Sequence, residues 1–309
     1  MLKMHKSLDR LGGSNKTLRK REIMKISDIQ KQHKQTLSFE IFPPKKDAAL
    51  KNIDETLEIL SDLKPDYISV TFGAGGSANC NKTIELAQKI KEKYHTEPVV
   101  HLTCLQYDKH EIDEFAKELQ AAGIDNILAL RGDKNPNLAE KDDFKHSSDL
   151  ISYMKDRYDF CFLGACYPEG HPESENRISE IKNLKKKVDA GAEALISQLF
   201  FDNDAFFRFY EECKIADINV PIIPGIMPVI NAAQIKRMIS LCNASFPERF
   251  QKIIDRYADN KDALFDAGMS YALSQVIDLL VSDIPGIHLY TMNNPVVARR
   301  ICEGIKNIV

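Results

Sequence analysis

The sequence predicts a single (β/α)₈ barrel of the TIM type, and three observations carry that prediction. Eight short apolar runs punctuate the chain, an amphipathic stretch follows nearly every run, and no Pro-, Gly- or Ser-rich linker divides the 309 residues. Apolar strands alternating with helices are the mark of a parallel sheet, and eight βα units in about 270 residues fit a closed barrel better than an open, doubly wound sheet.

Taken in order, strands are expected at 37–42, 67–71, 99–102, 126–130, 160–167, 194–198, 221–225 and 286–291. Between them Ile112, Phe115, Ala116 and Leu119 recur on one helical face, as do Ile178, Ile181, Leu184 and Val188. A surplus helical stretch, 247–283, separates the seventh and eighth strands. The first 35 residues hold ten Lys or Arg against three Asp or Glu and break early at Gly12-Gly13-Ser14-Asn15. They read as a basic extension, 1–35, with a short stripe of Ile23, Ile26 and Ile29, ahead of one barrel spanning 36–309.

Composition narrows the function. A net charge of −3 argues against a nucleic-acid surface as the main partner. Seven cysteines, an odd number without a Cys-x-x-Cys pair, and no secretory h-region fit a cytoplasmic protein with free thiols. No stretch is expected to approach the ~20 apolar residues of a membrane span. Metal-ligand spacings and a Gly-x-Ser-x-Gly elbow are absent from the sequence, so no metal is expected and organic-cofactor chemistry is the class that remains.

A barrel gives position a meaning, because chemistry gathers at the C-terminal ends of the strands. Those ends carry Glu40, Thr71-Phe72-Gly73-Ala74-Gly75-Gly76, His101, Arg131-Gly132-Asp133, Tyr167-Pro168-Glu169-Gly170-His171, Gln198 and Tyr290-Thr291-Met292-Asn293. Glu40 is the oddest of them: a carboxylate between Phe39 and Ile41, in a strand that ends in Pro43-Pro44. Either strand alternation turns it to solvent, or it is buried and used as an acid, with its apolar neighbours raising its pKa. Taken alone, His101 reads first as a core histidine and second as a ligand, Gly73 to Gly76 as a tight turn or a loop on a ligand, and Lys185-Lys186-Lys187 first as a solvated face and second as a phosphate site.

Together these runs, with Lys187-Val188-Asp189-Ala190-Gly191-Ala192, Gln198-Leu199-Phe200-Phe201-Asp202 and Pro224-Gly225-Ile226-Met227-Pro228, closely resemble methylenetetrahydrofolate reductases of the short bacterial type, from about Leu37 to the C-terminus. The resemblance implies a flavoprotein of one-carbon metabolism and methionine supply. It would use FAD and NADH or NADPH to reduce 5,10-methylenetetrahydrofolate to 5-methyltetrahydrofolate, the two substrates alternating at the flavin. It implies FAD contacts at Thr71, Phe72, Ala74, His101, Arg131, Gly132, Asp133, Ser147, Tyr167, His171, Glu180, Asn183, Lys186 and Lys187. It implies folate contacts at Glu40, Asp133, Gln198, Gln234 and Tyr290, with Glu40 the proton donor and Asp133 the second catalytic group.

Four positions depart from the family: Glu180 for aspartate, Lys186 for arginine, Met238 for phenylalanine, and Asn294 for an arginine that Arg299 or Arg300 would have to replace. A homo-oligomer is expected. The alternative is a folate-binding barrel subunit of a larger electron-transfer complex, docked through the basic extension.

Overall fold

The structure, a computed structural model, describes residues 24–44, 50–72, 77–134, 140–231 and 244–308. Its strands are β1 Thr36–Ile41, β2 Tyr67–Val70, β3 Glu97–Thr103, β4 Asn126–Leu130, β5 Cys161–Cys166, β6 Ala192–Ser197, β7 Ile222–Ile223, β8 Gly225–Ile226 and β9 Gly286–Tyr290. All pair in parallel, in the order β7-β6-β5-β4-β3-β2-β1-β9-β8. The two ends of that order are halves of one strand. Pro224 has no N–H to give the ladder, so the seventh expected strand is divided into two segments. β7 pairs β6, β8 pairs β9, and the Pro224 carbonyl still accepts from His288 N–H at 2.9 Å, which closes the barrel.

The helices are α1 Ile26–Gln32, α2 Leu50–Asp62, α3 Ser77–Glu92, α4 Lys109–Ala121, α5 Ser147–Lys155, α6 Arg177–Asp189, α7 Asn203–Ile215, α8 Glu248–Tyr257, α9 Lys261–Val281 and α10 Pro295–Ile305. The surplus stretch between the last two strands is α8 and α9, as the periodicity predicts. Helix α9 corrects one expectation: by length and composition it is apolar enough to cross a membrane. Its Met269, Ala272, Val276 and Leu279 are buried in the core instead.

Strand alternation sorts the apolar residues into two cores. Phe39, Ile41, Ile68, Val70, Val100 and Leu102 face outward and pack under the helices. Tyr67, Val99, Leu128, Cys161, Leu163, Ala194, Ile196 and Ile223 fill the lumen, and Ile26 and Ile29 of α1 join them. So α1 plugs the base of the barrel. Asn126, fully buried, accepts from Ile26 N–H at 2.9 Å and donates to the Met24 and Pro98 carbonyls. The basic extension drawn at 1–35 from charge therefore holds, from residue 24 onward, a segment packed on the barrel. Ile26 and Ile29, two residues of the stripe expected there, are what pack it against the lumen.

Candidate functional site

Register decides where Glu40 points. It lies opposite Ser69 of β2 and Tyr290 of β9, so its side chain enters the lumen while Phe39 and Ile41 pack outward. The solvent-facing alternative is excluded, since Glu40 is only 7% exposed. The expected apolar surroundings are corrected too, because the flanking residues lie on the other face of the strand. His101 Nε2 and His288 Nε2 approach Glu40 Oε2 at 3.5 and 3.7 Å instead. These are ion-pair distances, at or past the limit of a hydrogen bond. Both Nε2 atoms are buried without a hydrogen-bond partner, so unspent bonding capacity converges on one carboxylate oxygen. Burial pushes the pKa of His101 down, with Glu40 opposing and His288 reinforcing that shift.

His288 was not singled out by the sequence reading. It is fully buried, its Nδ1 lies 2.8 Å from Ser38 Oγ, and its ring stacks on Tyr67 and meets Tyr290 edge-on. The signal was there: a histidine two residues before Tyr290 shares its face of the strand. Tyr290 donates its hydroxyl to the Ser197 carbonyl at 2.6 Å, and Thr291 donates to the Glu40 carbonyl at 2.8 Å. Gly225 makes this approach possible, because a Cβ there would come within 2.3 Å of the Ser197 carbonyl and 2.5 Å of the Tyr290 ring. Asn293 staples the end of β1 by pairing with both backbone groups of Phe42.

Beside this mouth lies a cleft of about 440 Å³ between the ends of β4 and β5 and the helices α5 and α6. Arg131, Ser147, Tyr167, His171, Glu180, Asn183, Lys186 and Lys187 line it, eight of the fourteen residues expected at the cofactor. α6 starts where Asn176 and Ser179 form a capping box, which sets the face bearing Glu180, Asn183 and Lys187 toward the cleft. Glu180 is buried and accepts from Ser174 Oγ and from His171 N–H at 3.3 Å. Lys187 donates to the Ala165 carbonyl, and burial pushes its pKa down. Tyr167 and His171 meet edge to face at 4.7 Å. Burial, then Arg131, keeps the His171 pKa low.

The remaining expected residues are placed elsewhere. His101 is in the lumen beside Glu40, not in the cleft. Phe72 packs edge-on against Tyr107 and Phe115, among the helix-side aromatics. The Thr71 carbonyl accepts from Thr83. Gly132, with φ +87°, turns the chain after β4, and Asp133 beyond it is exposed, its carbonyl accepting from Gln106 at 2.8 Å. Gln198 accepts from Leu199 N–H through its own side chain at 2.9 Å. Ala74, Gln234 and Met238 lie outside the described residues. Asn294 caps α10 by accepting from Val296 N–H, and Arg300 pairs with Asp266 at 3.0 Å. Glu173, on the cleft wall, is a second residue the sequence reading passed over.

Barrels of this type do their chemistry where Glu40 and the cleft lie, so the class is a (β/α)₈-barrel enzyme. Within that class the chain belongs to the methylenetetrahydrofolate reductase family, whose family model matches residues 25–306. A 5,10-methylenetetrahydrofolate reductase of Buchnera aphidicola is 39% identical over 272 residues, covering 86% of this chain and 90% of the relative. The Arabidopsis thaliana protein named methylenetetrahydrofolate reductase (NADH) 1 is 34% identical over 284 residues, covering 87% of this chain. The chain spans 48% of that plant relative, about half its length. Among solved structures, a Clostridium thermocellum protein described as binding two copies of 5-methyl-5,6,7,8-tetrahydrofolic acid matches with TM-score 0.64, over 92% of this chain and 99% of that one. At 16% identity it supports the barrel fold alone.

Proposed function

We propose that the chain reduces 5,10-methylenetetrahydrofolate to 5-methyltetrahydrofolate, with FAD bound in the rim cleft and NADH or NADPH as the source of reducing equivalents. The observation that carries this reading is Glu40, a buried carboxyl at the C-terminal mouth with two imidazole Nε2 atoms at 3.5 and 3.7 Å. Opening the methylene bridge requires a proton on the departing nitrogen, and a carboxyl held away from water is suited to deliver it.

The cleft's residues fit FAD. Lys186 and Lys187 offer ammonium groups for a pyrophosphate, Tyr167 and His171 offer flat faces, and the cleft volume is in the range of small-molecule sites. When bound, the flavin supplies two-electron carriage between nicotinamide and folate. The chain's own residues do the rest. Glu40 delivers the proton to the departing nitrogen, the two histidines flank its carboxyl, and Gln198 and Tyr290 orient the folate at the mouth. The exposed Asp133 accepts hydrogen bonds from the pterin ring. The NADH in the plant relative's name favours NADH as donor.

The experiment is optical. The purified chain is expected to be yellow, to release FAD on denaturation, to be bleached by NADH, and to be reoxidised by methylenetetrahydrofolate. A colourless protein that cannot be reconstituted with FAD would sink the proposal.

A further inference from the structure

Arg131 enters the cleft with its hydrogen-bonding edges already in use. Its two terminal nitrogens donate to the two carboxylate oxygens of Glu173 at 2.6 and 2.9 Å, and its Nε donates to the Gly132 carbonyl at 3.2 Å. A guanidinium can grip a phosphate bidentately through the edge between its terminal nitrogens or through the edge that includes Nε. Here the first is filled by Glu173 and the second has lost its Nε arm. What Arg131 keeps is its plane, and no described aromatic side chain stacks on it.

Glu173 is itself held in place. Its N–H donates to His171 Nδ1 at 3.1 Å, and the next residue, Ser174, is tied to the buried Glu180. The bond to Nδ1 leaves a neutral His171 with its proton on Nε2. One short loop therefore sets both the orientation of Arg131 and the tautomer of His171. Arg131 in turn holds the Glu173 carboxyl at a pKa of about 2, so the pair stays ionised at neutral pH.

We propose that Glu173 is a positioning residue that turns Arg131 into a platform for a flat aromatic ring of the bound nucleotide and withholds it from the phosphates. The anion is then left to Lys186 and Lys187, each of which has ammonium protons to spare after one protein contact. The inference rests on the proposal that the cleft holds FAD. It differs from a phosphate role for Arg131 in a way that binding can read. Stacking depends on the plane of the group and resists salt, whereas an added phosphate contact at an open cleft is screened.

The test is equilibrium binding of FAD to the full-length, flavin-free chain, followed by flavin fluorescence over a range of KCl concentrations. Arg131→Lys keeps the charge and loses the plane; it is expected to weaken FAD binding about tenfold, with the salt dependence of the wild type. Glu173→Gln frees the guanidinium to reach phosphate and is expected to steepen the salt dependence and to weaken binding at high salt. Because Glu173 is half exposed, its substitution leaves the core intact, and an unchanged circular dichroism spectrum checks this. Either of two results overturns the proposal: Arg131→Lys binding FAD as tightly as wild type at high salt, or Glu173→Gln matching wild type at every salt concentration. A wild-type chain that binds no FAD at all fails the cofactor reading itself, and so is told apart from both.

Discussion

The mouth of the lumen and the cleft beside it each set a carboxylate against nitrogen donors, and they do so in opposite ways. Glu40 is buried, and its two imidazole neighbours stand at 3.5 and 3.7 Å without closing a hydrogen bond. Glu173 is half exposed and closes a bidentate pair with Arg131 at 2.6 and 2.9 Å. A saturated pair holds its shape and has little hydrogen bonding left to offer a ligand, so only the plane of its guanidinium remains for one. An unsaturated cluster shielded from water keeps donors and acceptors free for a group that arrives, which is what proton transfer to a substrate needs. The difference teaches that closeness of charge is no guide to where the chemistry is.

The sharpest way to break this comparison is at Glu40. Glu40→Gln is expected to slow folate reduction by about 10²–10⁴-fold while flavin reduction by NADH stays within a small factor of wild type. Stopped-flow measurement of the two half-reactions separates them, and an unchanged folate rate removes the acid from the proposal.

Next in size is the support of the lumen cluster. Ser38→Ala deprives the buried His288 Nδ1 of its partner and is expected to cost about 1–3 kcal/mol in urea unfolding, without changing FAD affinity. No loss of stability would mean that the cluster is less tightly built than its burial suggests.

A pH effect follows from His101. Its folded pKa is pushed below the ordinary 6.5, chiefly by burial, so the unfolded chain binds more protons as the pH falls below 6.5. Stability is therefore expected to decline on acidification from that point, and His101→Gln to flatten the decline in thermal melts taken between pH 7 and 5.

The smallest effect belongs to the cleft. Glu173→Gln is expected to cost under about 1 kcal/mol at pH 7, because the pair is half exposed. The Glu173 pKa is lowered from 4.5 to about 2, so the pair's contribution is full above 4.5 and is lost as the pH falls through 2. The wild type and the variant should converge over that window in acid titrations followed by circular dichroism. A difference that persists at the acid end would assign the loss to something other than the ion pair.

The sequence by itself determined the barrel, the strand-end positions and the family. Those rest on local, repeated signals: apolar runs of strand length, one-face periodicity in the helices, and motifs whose order the chain preserves. It also singled out eight of the residues that the fold gathers into one cleft, from β4, β5, α5 and α6. What it left undecided was direction. A strand in a barrel has two interiors, one under the helices and one in the lumen, and alternation alone does not say which residue takes which. Only the pairing of β1 with β2 and β9 turned Glu40 inward and set Ser38 beside His288, 250 positions away in the chain. Closure through Pro224, the α1 plug at the base and the loop that brings Glu173 onto Arg131 belong to the same kind of fact. Each depends on contacts between residues far apart in sequence, and these exist only once the sheet has closed.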